Sequence, residues 1–436
     1  MKYIISTLGC KVNQYETQAM ETILHERGHE SAAPGELADA VIVNTCAVTA
    51  ESGRKSRQLI RRLRDENPGA VLAVCGCYSQ LEPGEAESLG AKVIFGASDR
   101  AKLVEAVEKA VESGEGCRDI DEPFKRRELE RLPAGAVSGR TRAMLKIQDG
   151  CVNFCTYCII PYTRGRLCSL PVEDAARETA RIDAEGFKEL VLTGIEVASY
   201  GVDLPGRPGL ADVITACAAA APDMRIRLGS LEPTVISEDF CRRLAGTHRL
   251  CRHFHLSLQS GCDRTLKNMN RKYDTARFYR AVELLREYFP GCGLTCDLIT
   301  GFPGETEEDH AATLEFIRRC GFSDMHIFPY SRRPGTPADK MPQQCSRAVK
   351  ERRAREAKAV AEEMKAAFLA SCVGQTLPVL FETQDGESFT GHSDTYVLVR
   401  ACGEKLRGRT LNVLITGTDG GVLTGELTGA DAQTHF

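Results

Sequence analysis

Residues 150–158 read GCVNFCTYC, three cysteines at spacings of four and three. They follow an apolar run, AMLKIQ (143–148), that reads as a strand. Five more apolar runs come after it at intervals of about one βα unit: ELVLTG (189–194), RIRLGS (225–230), HFHLSL (253–258), GLTCDLIT (293–300) and MHIFPYS (325–331). Helical stretches such as VEDAARETARIDAEG (172–186) and TARFYRAVELLREYF (275–289) lie between them. Six such units predict an open, partial (β/α)6 barrel whose working end is the carboxyl edge of the strands. The three cysteines then occupy the loop at that edge after the first strand.

Working outward, KYIIST (2–7), AVIVNT (40–45), AVLAVCG (70–76) and KVIFGA (92–97) alternate with helical segments, including YETQAMETILHERG (15–28) and a basic helix over 51–69. Apolar strands separated by helices predict a parallel-sheet α/β domain over 1–113. Residues 114–138 are rich in charge, glycine and proline and read as a linker, which leaves 139–369 as the barrel core. A long amphipathic helix over 346–372 precedes short strands parted by Gly, Asp and Asn, the pattern of a small β-barrel over 370–436. The overall class is α/β with this C-terminal β module.

The 436 residues carry a net charge of −4, so any nucleic-acid surface is local. The opening MKYIISTLGC lacks the long apolar core of a signal peptide, and no run approaches the roughly 20 apolar residues of a membrane span. These features point to a cytoplasmic protein without membrane association. Nineteen cysteines is an odd count in a long chain, which argues for metal or redox ligands and core thiols over a disulfide framework.

Thiolates at the spacing of Cys151, Cys155 and Cys158 wrap a compact iron–sulfur cluster. Zinc is the competing metal, but its sites pair C-x2-C with a second pair or with histidines. No fourth ligand lies nearby at such spacing; Cys168 is ten residues on, past Pro161. Three thiolates on a 4Fe–4S cube leave one iron open to a substrate-like ligand. Cys10, Cys46 and Cys77 each end a strand of the N-terminal domain, 36 and 31 residues apart. Neighbouring parallel strands would bring them to the sheet edge where α/β folds bind ligands, beside helix N-termini. A second three-thiolate cluster fits that placement. Cys75 is the rival of Cys77, which stands one step further toward the loop.

The motif C-x3-C-x-aromatic-C, with Tyr157 as the aromatic residue, resembles the radical S-adenosylmethionine superfamily. TLGCKVNQYET, VIVNTCAVT and GCYSQ in the first domain, with SLQSGCDRTLKNMNR and DLITGFPGETEED in the second, narrow this. Together they resemble the methylthiotransferases, and the C-terminal module resembles their TRAM domain. The resemblance implies two 4Fe–4S clusters. Cys151, Cys155 and Cys158 would hold the radical-generating one, and Cys10, Cys46 and Cys77 an auxiliary one linked to the transferred sulfur. It implies two S-adenosylmethionine molecules per turnover, one giving the methyl group and one the radical that activates adenine carbon 2. A C–H bond of this kind is too inert for side-chain acid–base chemistry.

The opening GCKVNQYE resembles the branch acting on N6-threonylcarbamoyladenosine at position 37, in the tRNA anticodon stem-loop. Other branches modify isopentenyladenosine or an aspartate of a ribosomal protein, and a non-catalytic two-cluster electron carrier is the reading from another class. A reductant such as a flavodoxin or ferredoxin is implied as partner. Gly194, Glu196, Arg227 and Glu232, at the ends of the second and third barrel strands, are candidates with Tyr157 for contacting S-adenosylmethionine, Glu196 through the methionine ammonium. Candidate RNA contacts are Arg54, Lys55, Arg57, Arg61, Arg62 and Arg64, with Lys350, Arg352, Arg353 and Arg355 on the long helix. From residue 372 on, four basic side chains face eight acidic ones, which weakens the case for phosphate binding there.

Overall fold

The computed structural model describes residues 1–133, 141–247 and 249–429. The N-terminal domain is a parallel sheet of β1 (Lys2–Thr7), β2 (Glu30–Ser31), β3 (Ala40–Thr45), β4 (Val71–Gly76), β5 (Val93–Phe95) and β6 (Cys117–Asp119), in the order β2-β1-β3-β4-β5-β6. β3 and β4 are buried along their whole length because helices cover both faces. One face packs Tyr3, Met20, Leu24 and Cys75, and the other Val43, Ile60, Cys77 and Tyr78. β6 arises inside the stretch expected as a linker. Beyond it, Leu129 and Leu132 are buried in the large core, and Tyr15 donates its hydroxyl to the Leu132 carbonyl. Residues 134–138 of that stretch lie outside the described residues.

The central domain has six parallel strands in chain order, as the spacing predicts. They are β7 (Arg142–Asp149), β9 (Glu189–Gly194), β10 (Arg225–Leu228), β12 (His253–Gln259), β13 (Gly293–Thr300) and β14 (Asp324–Pro329). The short β8 (Cys168–Ser169) pairs antiparallel with β7, and β11 (Ser230–Leu231) lies beside β12. Among the described residues a single bridge, Ile226 to Leu250, joins the two halves into an open barrel.

The C-terminal module is a closed barrel in the order β15-β16-β17-β19-β18. Its strands are β15 (Thr376–Asp385), β16 (Ser388–Ser393), β17 (Leu398–Cys402), β18 (Thr410–Asp419) and β19 (Val422–Leu427). The helix Arg347–Cys372 leads into it, adding Leu369 and Cys372 to a core of Phe381, Phe389 and Val399. The barrel docks on the central domain through three arginines, of which Arg225 and Arg227 are buried. Arg225 donates to the His392 carbonyl (2.9 Å), Arg227 to the Ser393 and Asp394 carbonyls (3.0 Å each), and Arg252 to the Asp394 carboxylate (2.7 Å). Gly293 permits this approach, since a Cβ there would stand 2.2 Å from the Thr395 carbonyl oxygen. Among the described residues no helix is long and apolar enough to cross a membrane.

Candidate iron–sulfur and substrate site

Cys10 closes β1 and caps α1 (Lys11–Glu26), Cys46 follows β3 ahead of α2 (Ala50–Glu66), and Cys77 opens α3 (Cys77–Leu81) directly after β4. Two glycines let these loops close on one another. Gly76 has φ +104°, and a Cβ there would lie 2.4 Å from the Thr45 carbonyl oxygen. Gly9 has φ +129°, and its Cβ would lie 3.3 Å from the Cys46 Cβ. The three thiols stand within electrostatic reach of one another. Cys10 is exposed as a residue, but the protein packed around its sulfur pushes the thiol up to about 11, and burial raises Cys46, with the Arg164 charge pulling against the shift in both. Cys75 is buried on the other face of the sheet, where its charged neighbours are Arg100 and Glu16 rather than this group of thiols.

The second loop is pinned as tightly. Gly150 has φ +74°, and a Cβ would collide with the Arg166 carbonyl oxygen at 1.7 Å. Cys151 donates its N–H to the Gly165 carbonyl (3.0 Å), and Thr156 donates its N–H to Met269 (3.1 Å). The Asn270 amide donates to the carbonyls of Asn153 (3.2 Å) and Phe154 (3.0 Å). Burial pushes Cys151 and Cys158 up to about 12. Arg271 stands 3.2 Å from the Cys155 sulfur. Ile160, two residues past Cys158, packs against the apolar cluster that holds Cys77 and Tyr78, so the 151–158 loop lies next to the Cys77 turn. Among the described residues no three His, Cys, Asp or Glu side chains converge on the point a single metal ion would take. Each set offers three thiols, the donor chemistry that a 4Fe–4S cube takes.

Glu196 and Glu232 come together beside this loop, each accepting from the Asn153 amide at 3.2 Å, and Arg271 pairs with Glu232 at 3.0 Å. Burial, followed by the charge of Glu232, pushes the Glu196 carboxyl up to about 7. Gly194 ends β9, where a Cβ would stand 2.8 Å from the Gln148 carbonyl. Gln148 ties β9 to the loop: it donates to the Gly150 carbonyl (2.7 Å) and accepts from the Glu196 N–H (2.7 Å). Tyr157 packs edge-on against Phe302 with ring centroids 6.4 Å apart. Arg227 is placed elsewhere: its guanidinium is spent on Glu189, on the C-terminal carbonyls and on the Tyr396 ring, 4.7 Å away. Arg353 is likewise no RNA contact, because it is buried against Glu305 (2.8 Å) and pairs with Glu307. On α2, Arg54, Arg57, Arg62 and Arg64 pair with neighbouring carboxylates on the exposed face.

A buried ionic cluster, not predicted from sequence, joins the two thiol groups. Glu16 on α1 meets Arg100, Lys146 and Arg164, and Asp149 meets Lys146 and Arg164. Arg164 also donates to the Asn13 side chain (3.1 Å), whose oxygen lies 3.5 Å from the Cys10 sulfur. The cluster thus connects the turn after Cys10 to both flanks of the 151–158 loop. A cavity of about 860 Å³ opens beside Cys10, bounded by Gly9–Val12, Thr193 and Gly194, His253 and His255, and Tyr396 of the C-terminal barrel.

Residues 145–317 match the Radical SAM superfamily, and residues 2–96 match the uncharacterized protein family UPF0004. The threonylcarbamoyladenosine tRNA methylthiotransferase MtaB of Bacillus subtilis (strain 168) is 36% identical over 94% of this chain and 92% of its own. The enzyme of the same name from Thermotoga maritima is 36% identical over 87% and 86%. The tRNA-2-methylthio-N(6)-dimethylallyladenosine synthase of Pelotomaculum thermopropionicum is 34% identical over 98% and 97%. Among solved structures, the radical S-adenosylmethionine methyltransferase TsrM of Kitasatospora setae superposes with a TM-score of 0.58 over 88% of this chain and 79% of that one, at 16% identity, and so shares the fold. The chain belongs to the radical S-adenosylmethionine tRNA methylthiotransferases, enzymes that work with 4Fe–4S clusters and S-adenosylmethionine.

Proposed function

We propose that this enzyme adds a methylthio group to carbon 2 of N6-threonylcarbamoyladenosine at position 37 of tRNA, entering through the anticodon stem-loop. The observation that carries the reading is the adjacency of the two groups of thiols, with Ile160, just past the 151–158 loop, packed against the cluster that holds Cys77. The names of the relatives and the opening GCKVNQYE favour the threonylcarbamoyl substrate. Cys151, Cys155 and Cys158 hold the radical-generating cluster, and Cys10, Cys46 and Cys77 the auxiliary one. When bound, these groups with S-adenosylmethionine supply hydrogen abstraction at carbon 2 and a sulfur donor.

The chain's own residues bind and orient. Glu196 and Glu232 form an anionic corner for the cofactor ammonium, Gly194 and Gln148 let the backbone approach, and Tyr157 walls the cluster loop. Arg271 counters charge at Cys155. The working units are 1–113, 139–369 and 370–436, and a flavodoxin or ferredoxin delivers single electrons. Mass spectrometry of tRNA nucleosides from a deletion strain, with and without the restored gene, tests the reading. Methylthio-threonylcarbamoyladenosine should vanish and return; its persistence in the deletion strain refutes the assignment.

A further inference from the structure

Within that reading, we propose that Lys11 selects the substrate, its ammonium taking the threonyl carboxylate of the modified base in the cavity beside Cys10. Lys11 is the first residue of α1 and lines the cavity next to Cys10. Among the described residues it makes no ion pair. The other cations on this side are already engaged: Arg142 on Glu382, Arg225 and Arg227 on Glu189, and Lys365 on Asp324. Facing Lys11 are the Tyr396 hydroxyl, the cations Arg227 and Arg142, and Glu189, whose carboxylate is already taken by Arg225 and Arg227; the cavity's own carboxylates, Asp297 and Asp324, are held by His255 and Lys365. A half-buried cation without a partner is unfavourable until an anion reaches it. The N-terminal turn of the 16-residue α1 adds its partial positive charge, and Cys10 supplies no side-chain cap to its N–H groups.

A second observation points the same way. His253 lines the cavity and is 3% exposed, yet its Nδ1 is buried without a hydrogen-bond partner. Its Nε2 lies 2.9 Å from the Thr295 hydroxyl, which lies 2.8 Å from His255 Nδ1, and His255 Nε2 stands 3.2 Å from Asp297. If His255 donates to Asp297, that relay leaves His253 Nδ1 as a bare acceptor. A threonylcarbamoyl group carries both a carboxylate for Lys11 and hydroxyl and amide donors for such an acceptor. An isopentenyl group carries neither and would leave both unmet, which is how polar sites reject apolar analogues. The placement suits the chemistry. Carbon 2 and carbon 6, which bears N6, flank ring nitrogen 1, so a base presenting carbon 2 toward the Cys10 cluster lays its N6 substituent along the adjoining residues.

An RNA phosphate is the other anion that could meet Lys11, and the test separates the two. Binding of full-length, iron-loaded protein is measured to anticodon stem-loops identical except at position 37, which holds threonylcarbamoyladenosine, its carboxylate methyl ester, isopentenyladenosine or adenosine. Lys11→Met and Lys11→Gln should lose ~10-fold or more in affinity for the first RNA alone, the worth of one charge-assisted contact. The wild-type protein should show the same loss on the methyl ester. Equal loss on all four RNAs, as a phosphate contact would give, or wild-type binding unchanged by the ester, overturns the proposal. The ester arm needs no variant and so is independent of folding. If the wild-type protein fails to modify the threonylcarbamoyl RNA, the proposed function falls; if it modifies that RNA while the ester binds equally, Lys11 alone is refuted.

Discussion

Glu16→Gln probes the ionic cluster that joins the two thiol groups. Glu16, Arg100 and Arg164 are each at most 1% exposed. Three cations, Arg100, Lys146 and Arg164, are there balanced by two carboxylates, Glu16 and Asp149. The neutral amide keeps the shape and removes one charge, leaving three buried cations to one carboxylate. Breaking a buried pair from one side costs about 3–5 kcal/mol. With an unfolding entropy of about 2.1 cal/mol/K per residue over 436 residues, the melting temperature should fall by about 3–5 °C if the chain melts as one unit. The pH dependence gives a second readout. The neighbouring guanidinium and ammonium groups outweigh burial and hold the Glu16 carboxyl well below its usual range. Its contribution is therefore present above the unfolded value of about 4.3 and lost as the pH falls below that toward the folded value. The gap between wild type and variant should close in acid. An unchanged melting temperature at neutral pH, or a gap that acid does not narrow, would refute the role given to this cluster.

Cys77→Ala should lower bound iron from about eight to about four atoms per chain, the loss of one four-iron cluster. Cys75→Ala, on the opposite face of the sheet, should keep all of it; the reverse pattern in iron analysis would overturn the ligand assignment. Glu196, pushed up to about 7 by burial and then by Glu232, must be ionised to pair with the S-adenosylmethionine ammonium. Calorimetric affinity for S-adenosylmethionine should therefore rise as the pH climbs through 7, and Glu196→Gln should flatten that profile; a flat wild-type profile argues against the contact.

The barrel strands were legible because each is a buried apolar run set off by turns, and the positions of Cys10, Cys46, Cys77 and Cys151 at strand ends because each follows such a run. β6 was not: it has three residues, CRD, and pairs with β5 through backbone alone. α1 begins at Lys11 rather than near Tyr15 because Asn13 and Glu16, polar in sequence, are buried by partners far along the chain. Glu16 finds Arg100 and Arg164 at separations of 84 and 148 residues, which no local pattern encodes. Arg271 and Asn153 were invisible for the same reason. Arg227 shows how register decides a role. Alternation along β10 puts Arg225 and Arg227 on one face, and pairing places Arg225 opposite Glu189 on β9. Only the three-dimensional fold adds the C-terminal barrel above them.

That docking also explains the acidic balance of the C-terminal module. Two of its carboxylates, Glu382 and Asp394, are spent on Arg142 and Arg252 of the central domain, each at 2.7 Å. Those charges face the central domain, not solvent, so they do not repel an RNA backbone as a simple count implies. The net charge of a module limits nucleic-acid binding only through the charges it leaves at its surface.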